Sequence, residues 1–197
     1  MKQNYPPYKI ENAIELTRLW VEKMVVGLNL CPFAAPEINR NSIRYAVVGG
    51  NSPEEAVRNF LEEILFIQES PEEEISTTLV IYPTGQDDFE CFLDLLALAE
   101  DCLEQAGLEG LFQLASFHPQ YLFDGVSEDD ITNWTNRAPF PALHIIREGQ
   151  MGRVLTNYKA PEEIPEQNMQ TMTDLGRDGL IKRFPPFAEY CLEPSST

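Results

Sequence analysis

The chain has 197 residues, 43% of them apolar, which is enough for one domain with a sizeable core and excludes general disorder. Its 32 acidic and 14 basic residues give a formal charge of −18. Such a surface repels phosphate backbones and anionic lipid, so neither nucleic acid nor membrane is expected as a partner through bulk charge.

The N-terminal MKQNYPPYKIENA has no apolar signal-peptide core, and the longest apolar stretch, MVVGLNLCPFAAP, is interrupted by Asn29 and Pro32. Cys31, Cys91, Cys102 and Cys191 form no CxxC pair and are too few for a disulfide scaffold. A soluble, reduced, cytoplasmic protein is the expectation. Residues 9–185 read as a single globular domain, with 1–8 and 186–197 as loose termini.

Residues 11–28 read as a helix, with Ala13, Leu16, Trp20, Met24 and Gly27 at helical spacing. It stops at LNLCPF, where Pro32 pushes Cys31 towards an extended conformation. SIRYAVV (42–48) is a β-rich run ending at Gly49-Gly50. Ser52-Pro53-Glu54-Glu55 has the form of a capping box with proline at the first helical position, and its helix runs to about Glu69. STTLVIY (76–82) is the second strand, ended by Pro83-Thr84-Gly85. Asp87 with Glu90 reads as the next cap, and the helix that follows ends near Ala106, with Gly107 at its C′ position. Cys91, Leu95, Leu98 and Cys102 share one face of it, so both thiols read as core fillers.

LFQLASFH (111–118) is the third strand and ALHIIRE, from 142, the fourth. Residues 150–157 suggest a short helix, and 165–175 another, with Pro165 at its start and Gly176 past its end. This strand–helix alternation predicts an α/β (or α+β) fold: one small layered domain with a mostly parallel or mixed sheet of about four strands. The fourth strand is free to pair antiparallel with one of the others.

The chain has two histidines. His118 ends the third strand, before Pro119, and His144 lies early in the fourth. If these strands pair antiparallel, the two imidazoles can approach one another. The long connection between them carries Asp124, Asp129, Asp130, Asn133, Asn136 and Arg137 and reads as a binding loop. Arg137 and Arg147 are candidates to receive an anionic group. Set against this, a histidine at a strand end is often only a hydrogen-bonded structural residue, and Gly49-Gly50 reads as a turn because no phosphate-loop pattern surrounds it. Cys31 follows a helix C-terminus, which disfavours a thiolate, so a small buried residue is its plainer role.

GLNLCPFA (27–34), SFHPQYLFD (116–124) and NRAPFPALHIIRE (136–148), taken in that order, resemble the signature segments of a bacterial family known only as a domain of unknown function. The resemblance covers most of residues 11–180 and implies a shared architecture. It directs attention to Cys31, Pro32, His118, Pro119, Asn136, Arg137, His144, Arg147 and Glu148, and it supplies no substrate.

Three functions are expected to compete. The first is an enzyme acting on a small anionic metabolite, with or without a divalent metal such as zinc or iron. Here His118, His144 and Asp124 (or Cys31) are the metal ligands, Arg137 orients the substrate, and Asn136, Arg147 and Thr84 bind it. The second is metal-free acid–base or nucleophilic chemistry, with a histidine as base and Cys31 or Thr84 as nucleophile. The third is a non-catalytic binding or adaptor protein that uses its acidic surface and the aromatics Tyr121, Phe123, Trp134 and Phe140. The oligomeric state is left open.

Overall fold

The computed structural model describes residues 9–156 and 160–190. The segments expected to be loose at 1–8 and from 191 on, Cys191 included, lie outside the described residues.

The fold is one mixed four-stranded sheet with helices on both faces. The strands are β1 (Ile43–Val47), β2 (Thr77–Ile81), β3 (Phe112–Phe117) and β4 (Ala142–Arg147), in the order β1-β2-β4-β3. β1 and β2 are parallel, joined by helix α3 (Pro53–Glu69). β4 lies between β2 and β3 and is antiparallel to both. The antiparallel option for the fourth strand is therefore the one the chain adopts.

Among the described residues, α3 and α4 (Phe89–Gln105) are accompanied by helices α1 (Ala13–Trp20), α2 (Ala34–Arg40), α5 (Glu148–Leu155), α6 (Ile164–Arg183) and α7 (Phe187–Tyr190). The pleat sorts side chains between two cores, because alternate residues of a strand face opposite ways. Leu79, Ile81 and Ala142 join Leu16, Trp20 and Met24 on one face. Val80, Tyr82, Leu143 and Ile145 join Phe60, Ile64, Phe92 and Leu95 on the other.

Local chemistry sets the helix ends. Ser52 caps α3 by accepting from the Glu55 N–H at 3.2 Å, as its capping box predicts. The cap of α4 is Asp88, not Asp87: its Oδ1 accepts from the Cys91 N–H at 2.9 Å. Gly107, at φ +66°, takes the left-handed position after that helix. The buried stripe of α4 is Phe92, Leu95, Ala99 and Leu103. Cys91 is exposed and Cys102 half-buried, so neither thiol fills the core as expected: the face turned to the core runs one position on, through Phe92, Ala99 and Leu103.

The helix expected over 11–28 changes its winding. After α1 the chain forms a π-helical turn, Val21–Val26. The Gly27 N–H bonds the Glu22 carbonyl at 3.1 Å, five residues back, leaving the Lys23 carbonyl free to accept from Arg183 Nε at 2.7 Å. α2 was not anticipated. It starts two residues after Pro32 and tolerates Pro36 because that residue sits in its first turn, where the N–H has no helical partner.

In α6 the backbone at Gly176 turns to φ +61°, where the sequence places the helix end, and a second helical stretch continues to Arg183. The ordered fold also extends past the expected boundary at 185. Phe187 is fully buried, with ring centroids 5.0 Å from both Trp134 and Phe184.

Candidate functional site

On the sheet face that carries α1, the pleat sets Ile43, Thr77, Ala115 and His144 side by side. The registers pair His144 with Leu79 on one flank and with Ala115 on the other. Opposite them stand Trp20, Val21 and Val25 from α1 and the π-turn, Phe33 and Ala34 from the start of α2, and Met151 and Val154 from α5. Between the two walls is a cavity of about 170 Å³. Most of its lining is apolar, and its polar side chains include Cys31, Glu37, Ser76, Thr77, His144 and Gln150.

His144 is the best-defined polar group in this cavity. Thr77 Oγ1 lies 2.6 Å from the Ile145 carbonyl and 2.6 Å from His144 Nε2. A hydroxyl has one proton, and a carbonyl can only accept. The Thr77 proton therefore goes to Ile145, and Thr77 accepts from His144 Nε2–H. This fixes the tautomer and leaves an unprotonated Nδ1 that no described residue hydrogen-bonds. Burial holds the ring pKa down at about 4, so His144 is neutral at physiological pH. The half-buried ring is part of the cavity wall.

Cys31 reaches the same cavity from the end of the π-turn. Asn29, at φ +56°, reverses the chain, and the Leu30 N–H bonds the Val25 carbonyl at 2.8 Å. Asn168 of α6 donates to the Leu30 carbonyl at 2.8 Å, fixing the approach to the thiol. Burial pushes the Cys31 pKa up, and the N–H groups of Phe33 and Ala34 oppose that shift without overcoming it. From the sequence, only the helix end before Cys31 is legible. The unanticipated α2 adds N–H groups after it, and desolvation outweighs them.

Glu37 is 7% exposed, yet it carries two strong hydrogen bonds: Ser42 Oγ at 2.6 Å from Oε2 and Arg40 Nη1 at 3.0 Å from Oε1. Ser42 in turn lies 3.4 Å from Ser76.

Of the candidates drawn from the sequence, the cavity unites Cys31 and His144. It does not include His118. Positions 118 and 144 differ in pleat parity across the β3–β4 register, so the two rings project from opposite faces of the sheet. His118 is 0% exposed and packs between Phe89 and Phe92, with both centroids at 5.2 Å. Its Nε2–H donates to the Gln86 carbonyl at 3.0 Å, and its Nδ1 accepts from the Gln120 N–H at 3.0 Å. Both nitrogens are engaged, and burial lowers its pKa to about 4 as well. Asp124 lies exposed in a turn. The expected ligand set of His118, His144 and Asp124 is therefore not assembled, and among the described residues no cluster of three or more His, Cys, Asp or Glu is placed to hold a metal ion.

The basic candidates hold backbone. Arg137 donates to the Tyr121 and Glu128 carbonyls at 3.4 and 3.2 Å and lies over the Trp134 ring. Asn136 donates to the Ser116 carbonyl at 3.1 Å. Arg147 contributes to the cavity wall, but its guanidinium donates to the carbonyls of Ile67, Ser70 and Ile75, fastening the end of α3 to the sheet. Thr84 lies beyond β2, outside the cavity, in the turn where Gly85 (φ +83°) crosses Gly50 so closely that a Cβ would stand 2.2 Å from the Gly50 oxygen. In the long loop, Trp134 and Phe140 are buried, and Asn133, fully buried, organises the chain by bonding Phe123 N–H and the Ser127 carbonyl. Those two aromatics anchor the loop and present no docking surface.

Thr77, Glu37 and Ser76 were missed. Thr77 was detectable, since it shares pleat parity with Leu79 and Ile81 and is a polar residue on an otherwise core-facing stripe. Glu37 gave no signal, because the helix that carries it was not foreseen.

No curated protein and no solved structure matches the chain. A family model described as "Protein of unknown function (DUF1415)" matches residues 12–182, so the chain belongs to that family.

Proposed function

We propose that the chain is a small-molecule enzyme of the metal-free acid–base kind, with its substrate held in the cavity and His144 acting as the base. The single observation that carries this reading is the fixed tautomer of His144. Thr77 holds Nε2–H, and Nδ1 is left unprotonated on a residue that lines an apolar cavity large enough for a benzene-sized body. On taking a proton at Nδ1, the ring becomes a cation whose Nε2–H still points at Thr77 Oγ1, and that hydroxyl supports the charge.

Energetics argue against Cys31 as a nucleophile activated by His144. The thiol sits above its ordinary 9.0 and the imidazole at about 4. With the thiol raised and the imidazole lowered, moving the proton between them is strongly unfavourable. Cys31 therefore serves as a neutral wall group. A second reading, retention of the molecule without turnover, is favoured by the burial of His144, which lowers its pKa and weakens it as a base.

The test is untargeted mass spectrometry of a cell extract incubated with the wild type and with His144→Phe. Consumption of at least one compound by the wild type alone supports catalysis. Retention without consumption supports the second reading. If nothing is retained or consumed, both are refuted.

A further inference from the structure

We infer that the molecule taken by this cavity is uncharged, with a compact apolar body about the size of a benzene ring and one hydroxyl or N–H donor that meets His144 Nδ1. This inference rests on the reading that the cavity is the functional site, and it narrows the ligand.

The size follows from volume. Apolar cavities of about 150 Å³ take benzene, and this one is about 170 Å³. The body follows from the walls, where Trp20 and Phe117 meet edge to face at 5.0 Å and Val21, Val25 and Ile146 surround them.

The charge follows from elimination among the lining residues. The lining has one basic side chain, Arg147, and its guanidinium already donates to three carbonyls. An anion would bury its charge without a cation to meet it, and would face the Glu37 carboxylate. A cation fares little better, because both Glu37 oxygens are engaged, one by Ser42 and the other by Arg40. The remaining unmet demand is an acceptor. Nδ1 has a lone pair and no partner among the described residues, and only a donor on the ligand can satisfy it. The anionic metabolite expected from the sequence rested on Arg137 and Arg147, and both are committed to backbone carbonyls.

Four probes with one body test this: benzyl alcohol, toluene, benzoate and benzylammonium, each titrated into the full chain at pH 7 and followed by amide and histidine-ring NMR. The expected order places benzyl alcohol first, toluene about threefold to tenfold weaker for want of one hydrogen bond, and the two ions at least about a hundredfold weaker. The His144 Nδ1 resonance should move with benzyl alcohol and not with toluene. In His144→Phe, which keeps the ring and removes the acceptor, the alcohol and toluene should bind equally. If benzoate or benzylammonium binds tightest at the cavity, the ligand class is wrong and the site stands. If no probe perturbs residues of the cavity wall, the site reading itself fails, and this inference with it.

Discussion

Acidification from pH 7 to pH 5 should destabilise this protein chiefly through its two histidines. Both histidines carry pKa values lowered from 6.5 to about 4, His144 by burial and His118 chiefly by burial. In the unfolded chain each ring titrates near 6.5, so between these values the unfolded state binds more protons than the folded one. The stability contributed by each neutral ring is complete above pH 6.5 and is lost as pH falls towards 4. Linkage gives about 2 kcal/mol per ring at pH 5 relative to pH 7, or about 4 kcal/mol for the pair. That is a large part of the 5–15 kcal/mol typical of a whole domain (roughly). The interval is favourable because ordinary carboxylates, near pH 4, remain mostly ionised at pH 5. Urea unfolding at the two pH values should show a lower midpoint at pH 5 with an unchanged slope. Because the chain holds only two histidines, a proton NMR titration reads both rings directly. An unchanged midpoint, or either ring titrating near 6.5 in the folded chain, refutes the argument.

Thr77→Val should leave His144 Nε2–H and the Ile145 carbonyl without their shared partner, costing about 1–3 kcal/mol. Nitrogen NMR should then show mixed tautomers of His144, whereas a ring that stays wholly Nε2-protonated would contradict the assignment. Cys31 should react with iodoacetamide at pH 7.5 more slowly in the folded chain than in urea, because burial raises its pKa; mass spectrometry of the peptide containing it measures this. Arg147→Met should cost about 2 kcal/mol or more, since it abandons carbonyls at the end of α3. A matching urea midpoint would mean that water replaces the guanidinium at no cost. Ala115→Leu should fill the cavity and abolish toluene binding while His118 keeps its chemical shift, since that ring lies on the other face of the sheet.

All four strands were legible in the sequence because each is a short apolar run closed by glycine or proline, and α3 announced itself through Ser52 and Pro53. What periodicity could not supply was the winding after Trp20. A π-turn and an α-helix share the same apolar spacing over so few residues. Nor could it supply α2, because Pro32 just before it read as a break and Pro36 lies in its first turn. The histidine question shows the limit most clearly. The antiparallel pairing of β3 with β4 was foreseen as an option, and proximity seemed to follow from it. Parity across the register decides the matter instead, and it sends His118 and His144 to separate cores. The arginines misled for a related reason. A loop held by carbonyl contacts and one built to seize an anion use the same side chain, and only the contacts of Arg137 and Arg147 tell them apart.

The position of β4 also constrains how the chain can reach its final form. β2 and β3 run in the same direction but never touch, because β4, six residues drawn from late in the sequence, separates them. A nascent chain that has emerged only as far as Pro141 can pair β1 with β2 but has no partner to offer β3. Assembly of the sheet therefore waits for residues 142–147, and in the same event His144 arrives beside Thr77 and acquires its tautomer. Until that moment one edge of β2 and both edges of β3 are open to foreign strands. During synthesis, the vulnerable species is the chain one strand short of completion.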